Sequence, residues 1–235
     1  MTRLSILWAL LIINPGISIA GFSGAVKATS NYVGRGYSKS NGELAYQANL
    51  DYGHKTGFYV GTAVSTVDFG DKGFGNPAHV EISPYLGWGY GLSEDWRLDL
   101  QWTRYWYDGN IYGLQADYNE FFLLLHYRDL LSANLSFSEN YYNQGKPAGN
   151  YQLTGRYPVT DYLQISGSVG YSQTKSTLDY DYIYWNAGFT FFYKFAAMDF
   201  RYAEAATYGN QVATKWAFDP QLLKPSLLLT LSISF

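Results

Sequence analysis

Nine charged residues fall on the polar parity of alternating stretches: Lys27, Arg97, Arg156 and Arg201 against Asp51, Glu81, Asp99, Glu120 and Asp199. Four cations facing five anions do not form the one-signed ladder that selection of phosphate or uronate requires, because a charge ring selects only through an uncompensated field. The pattern fits ion pairs that narrow a polar interior, or a constriction with weak charge preference. Catalytic chemistry has little to work with. His54, His79 and His126 are the only three histidines; no serine sits at a nucleophile elbow and no Asp-His pairing recurs, so no catalytic residue is assigned. Asp179 and Asp181 share a strand face, yet two carboxylates fall far short of a calcium cage of about six to eight oxygens. The Gly70-Asp71-Lys72-Gly73-Phe74-Gly75 run lacks the spacing of a phosphate-binding loop. No metal and no cofactor are expected. Tyr105, Tyr182 and Tyr184 share the inward parity, with Tyr141, Tyr142 and Tyr151 in or beside a long loop. Such rings either line a track for sugars or pack against one another.

The elements that carry these residues are strands. Pro225 to Phe235 shows the period of two most plainly, with Leu227, Leu229, Leu231, Ile233 and Phe235 alternating with Ser226, Leu228, Thr230, Ser232 and Ser234. Trp96, Leu98, Leu100, Trp102 and Trp106 alternate with Arg97, Asp99, Gln101, Thr103 and Tyr105, and tryptophan near each end of an apolar band is the girdle of a membrane strand. Arg104 falls on the outward parity there, where its head is expected to reach the lipid headgroups. Ten further strands are read near residues 24–32, 44–54, 58–69, 79–90, 119–127, 131–138, 151–158, 162–173, 182–192 and 197–203. Tight turns alternate with longer polar loops, which predicts an all-β fold: a single antiparallel up-and-down transmembrane β-barrel of about twelve strands with both termini periplasmic.

Bulk composition agrees. Aromatic residues make up 19% and charged residues only 15%, as expected where only the outward half of each strand is apolar. Residues 1–20, with Arg3, the apolar Leu4 to Ile13 and Ser18-Ile19-Ala20, read as a signal peptide removed near Ala20, leaving the barrel at 21–235. Zero cysteines exclude disulfides and thiolate chemistry, and a net charge of −3 argues against nucleic acid.

Ser30-Asn31-Tyr32-Val33-Gly34-Arg35-Gly36, Gly57-Phe58-Tyr59-Val60-Gly61 and Val67-Asp68-Phe69 resemble the opening of the TorF family of candidate porins, the Gcw-chp type of proteobacterial outer-membrane protein. Gly34 departs from the family, standing where a bulky aromatic is expected. The resemblance implies a barrel in the Gram-negative outer membrane, in contact with lipid and lipopolysaccharide, that passes small solutes by passive diffusion. It brings no substrate and no catalytic residues. The C-terminal Leu231, Ile233 and Phe235 resemble the signal read by the barrel assembly machinery. A plugged barrel acting through its loops and an outer-membrane hydrolase stand as the alternatives.

Overall fold

The computed structural model describes residues 20–207 and 222–235. The expected signal peptide therefore lies, but for Ala20, outside the described residues. Twelve antiparallel strands close into one barrel: β1 (Gly21–Thr29), β2 (Ala45–Gly53), β3 (Phe58–Thr66), β4 (Val80–Gly91), β5 (Trp96–Tyr107), β6 (Tyr118–Tyr127), β7 (Leu131–Ser138), β8 (Ala148–Pro158), β9 (Leu163–Gln173), β10 (Tyr182–Tyr193), β11 (Ala196–Thr207) and β12 (Ser226–Ser234). Each strand pairs with its sequence neighbours, and β1 pairs with both β2 and β12, so no edge is left open. Lengths of 8 to 12 residues suit a tilted strand crossing a bilayer.

The alternation sorts the side chains. Leu50, Leu86, Leu100, Phe121, Leu153, Phe189 and Leu229 are exposed on the outer face, while Asp51, Tyr85, Asp99, Glu120 and Thr154 are buried inside. Rings collect toward both ends of the outer face, as in Trp96 beside Tyr127 (4.9 Å between centroids) and Trp185 beside Tyr202 (5.0 Å). The ladder between β4 and β5 is interrupted at Ser83 and Pro84, where proline has no N–H to give.

Inside, two tyrosines reach across to glycines on the neighbouring strand. Tyr59 is paired with Gly87 and Gly61 with Tyr85. The Tyr59 ring occupies the space where a Gly87 side chain would stand, and the Leu100 carbonyl would lie 2.6 Å from the same position. A side chain at residue 87 must therefore displace the ring and its hydrogen bond to Asp99. Gly87→Leu is expected to cost about 1–3 kcal/mol, as overpacking typically does; a lowered midpoint in the heat-dependent gel shift of the folded barrel checks it, and an unchanged midpoint refutes it.

Several boundaries differ from the sequence expectation, among them a first strand that starts at Gly21 rather than Gly24 and a β8 that starts at Ala148 rather than Tyr151. The first strand stops at Thr29 rather than Tyr32, the third stops at Thr66 rather than Phe69, and β11 continues past Ala203 to Thr207. After Thr29, whose Oγ1 donates to the Asn31 carbonyl at 3.0 Å, and after Thr66, where the Asp68 N–H donates to the Lys39 carbonyl at 2.8 Å, the chain leaves the wall, and Tyr32 and Phe69 are buried.

Candidate functional site

The first long loop, residues 30–44, folds into the barrel. A short ladder joins Val33–Gly34 to Tyr37–Ser38. The loop is tied down from several sides: the Tyr32 N–H donates to Ser40 Oγ at 2.8 Å, Ser38 Oγ donates to Asn31 Oδ1 at 2.6 Å, and the Leu223 N–H donates to the Gly36 carbonyl at 2.7 Å. Gly36 has φ +81°, and a Cβ there would lie 2.8 Å from both Ala205 Cβ and Tyr184 Cβ, so the tip requires glycine twice over. Arg35 adopts φ 48°, a left-handed conformation that a non-glycine residue holds only when its surroundings impose it.

What imposes it is a carboxylate. Arg35 Nη1 and Nη2 donate to Glu120 Oε1 and Oε2 at 2.6 and 2.9 Å, a bidentate fork, and Ser136 Oγ adds a third bond at 2.7 Å. Lys39 Nζ lies 2.6 Å from Glu81 Oε2, and the other oxygen of Glu81 accepts from Tyr32 at 2.9 Å while Tyr107 donates to Oε2 at 2.8 Å. Glu120 and Glu81 are fully buried, at 0% and 1% exposure, which makes these contacts the compensation for two charges held out of water. Burial and then the Glu81 carboxylate push the Tyr32 phenol above its ordinary range, so it remains a donor. The ammonium of Lys39 also sits 5.2 Å from the ring centres of both Tyr32 and Tyr105.

Around this core the loop-end tyrosines interlock. Tyr105 stacks on Tyr118 at 4.6 Å and 16°, Tyr142 lies 4.8 Å from Tyr118, Tyr141 packs on Tyr142, and Tyr37 packs on Tyr182 at 4.9 Å. These rings form one buried cluster with Tyr184 that fills the loop end of the barrel. Below it lies a cavity of about 80 Å³, bordered by Arg35, Lys39, Tyr105, Asn134 and Gln152. It has room for a few waters, well below the roughly 300 Å³ at which ligand pockets begin.

Toward the turn end the interior is charged on two sides. Asp51 accepts from Tyr85 and, at 2.6 Å, from Asn49, while Asp99 accepts from Tyr59 at 2.5 Å. Lys27 lies within electrostatic reach of Asp51. Arg201 is held on its own strand by Asp199 at 2.9 Å and also donates to Asn186 and Ser166. Arg156 donates to Ser132 at 2.8 Å, and Arg97 faces Asp99 from two residues away on β5. The nine sequence candidates thus separate into two tiers. Glu81 and Glu120 belong to the plugged loop end and take their cations from the loop, not from the strand arginines expected to balance them. Arg104, on the outward parity, has its guanidinium 3.7 Å from Asp117 at the loop end of β5 and β6.

Arg35 and Lys39 are the residues the strand alternation misses, because loops carry no parity. Asp181 is also explained: one oxygen accepts the N–H groups of Thr174 and Lys175 and the other the Tyr171 hydroxyl, so it caps a loop. Among the described residues no group of three or more His, Asp or Glu side chains converges as a metal site.

Residues 15–235 match the family described as "Bacterial protein of unknown function (Gcw_chp)". The chain belongs to this family. No curated protein sequence matches it. Among solved structures the barrel is similar to the KdgM porin (TM-score 0.57, 9% identity, covering 91% of this chain and 98% of that one) and to the NanC porin (TM-score 0.54, 8% identity, 90% and 98%). A second structure of the KdgM porin, in complex with disordered oligogalacturonate, aligns with TM-score 0.53 and 8% identity over 92% of this chain and 98% of that one. At such identities the likeness concerns the fold.

Proposed function

We propose that this Gcw_chp member is an outer-membrane porin of the TorF type, which passes small solutes by passive diffusion through a narrow lumen of mixed charge. The observation that carries this reading is the barrel itself, with an apolar outer face and an inner wall lined from end to end by polar and charged side chains such as Asp51, Asp99, Thr103, Ser132 and Arg156. An inert barrel gains nothing from burying so many ionisable groups, each of which has to be compensated. On this reading the tight turns and both ends of the mature chain face the periplasm, residues 1–20 direct export, and the outer face meets lipid and lipopolysaccharide. Leu231, Ile233 and Phe235 serve the assembly machinery. No catalytic role is assigned to any residue, and the interior acids and bases act through their fields.

The loop-end plug supports a second reading, a barrel that stays shut and works through its loops. Reconstitution in planar bilayers with potassium chloride separates the two. Small unitary steps, rare because the loop must shift before ions pass, are expected. Silence from the native chain, and from variants in which the plug is released, would establish the shut barrel instead.

A further inference from the structure

Below the plug, one arc of the wall carries two guanidinium groups with an imidazole between them in strand order. Arg97 on β5 is paired in register with His126 on β6, and His126 with Ser132 on β7. Arg156 reaches back from β8 to Ser132, placing its Nη1 2.8 Å from the hydroxyl oxygen. His126 lies within electrostatic reach of both Arg97 and Arg156, and Arg156 within reach of Arg201. Cations brought this close along a buried wall repel one another. Arg201 is neutralised by Asp199. The negative groups near Arg97 are Asp99, which also accepts from Tyr59, and Asp129, an exposed turn residue that also faces Arg156.

Hydrogen bonding sharpens this. Ser132 Oγ accepts from Arg156 and stands 2.9 Å from His126 Nδ1; with the hydroxyl proton given to Nδ1, the neutral imidazole carries its proton on Nε2. That Nε2 is buried and has no partner, and neither has Arg156 Nε; the two residues are only 4% and 6% exposed. Two orphaned donors on side chains this buried are costly. Each is relieved by an acceptor oxygen, and a carboxylate brings two. Asn134 and Gln152, which line the cavity, occupy the inward positions next above Ser132 and Thr154 on β7 and β8, so the cavity lies one inward step from this arc.

We infer that Arg97, His126 and Arg156 form a binding site for small carboxylate-bearing solutes on their way through the lumen. A carboxylate supplies acceptor oxygens for the open donors of the arc and the planar shape a guanidinium fork matches. The inference rests on the porin reading, since the site is reached through the lumen.

The test is calorimetric titration of the detergent-solubilised barrel with citrate, with glucose as the neutral probe, beside bilayer conductance of the same preparation. Saturable citrate binding, absent for glucose, is expected. Arg156→Gln and, on another strand, Arg97→Gln should each weaken it by about tenfold to a hundredfold, the effect of one charged hydrogen bond, with the heat-dependent gel shift confirming that at least one variant is folded. No citrate binding to the native barrel, or equal binding by a folded variant, overturns the site. Citrate binding without conductance overturns the porin reading alone, and conductance without citrate binding overturns the site alone.

Discussion

Arg35→Ala is expected to conduct in long openings where the native chain is closed for most of the time. Of the several contacts that hold the loop in the barrel, the bidentate bond from Arg35 to Glu120 is the most demanding because Glu120 is fully buried. Removing the guanidinium leaves a carboxylate without its counter-charge, at a cost of about 3–5 kcal/mol to the closed arrangement. Each 1.4 kcal/mol is about a factor of ten, so the closed state loses roughly two to three orders of magnitude in relative population. The left-handed backbone at Arg35 adds to this, since nothing then holds φ at 48°. Water drawn to Glu120 hydrates the loop end and the loop swings out. Dwell times in planar bilayers measure the effect. The double variant Arg35→Ala, Glu120→Gln separates charge from packing: with no uncompensated charge left, it should recover much of the closed population, while Arg35→Ala alone should not. Closed dwell times equal to those of the native chain would mean that the loop is not held by this pair.

Much of the wall was legible in the sequence because its grammar is strict. Leu229 to Ile233 and Trp96 to Trp102 alternate without a break, and a one-residue slip would turn every side chain to the wrong face, so parity alone places Asp99, Glu120 and Arg156 inside. The plug was not legible for the same reason in reverse. Residues 30–44 carry no period, and their positions follow from contacts far away in the chain: Arg35 with Glu120 and Lys39 with Glu81, separated by 85 and 42 residues. A signal was nonetheless present. The stretch that carries the family resemblance, Ser30 to Gly36, includes an arginine flanked by Gly34 and Gly36, beside Tyr32 and Tyr37, which is a poor composition for a solvated loop and a good one for a loop packed into an aromatic interior. Charge counting failed in an instructive way. Four cations against five anions looked balanced along the strands, but two of the anions, Glu81 and Glu120, are neutralised by the loop cations Lys39 and Arg35 that parity never assigned, which leaves Lys27, Arg97, Arg156 and Arg201 lower in the barrel with three of the five.

Deleting Phe235 is expected to lower the amount of folded barrel by at least roughly tenfold, and the reason is the seam where the sheet closes on itself. β1 and β12 pair through five residues, Ala25 with Ser234 to Thr29 with Thr230, whereas β1 and β2 pair through nine. Phe235 extends this short seam with two backbone bonds, its carbonyl accepting from the Gly24 N–H at 2.9 Å and its own N–H donating to the Gly24 carbonyl at 3.0 Å. Its ring lies over Gly24, where a Cβ would come within 2.8 Å of it. In a lipid environment each backbone group left without a partner costs several kcal/mol, so removing the residue opens the turn end of the seam. Phe235→Ala distinguishes closure from recognition, because it keeps both backbone bonds and loses only the ring. If the assembly machinery reads the ring, Phe235→Ala falls in outer-membrane level as far as the deletion does, yet refolds in detergent as readily as the native chain, while the deletion refolds poorly. If only the seam matters, Phe235→Ala reaches native levels in cells. Normal levels of folded barrel for the deletion itself would show that neither the ring nor the two bonds to Gly24 are needed, and Leu231 and Ile233 would have to carry the signal without it.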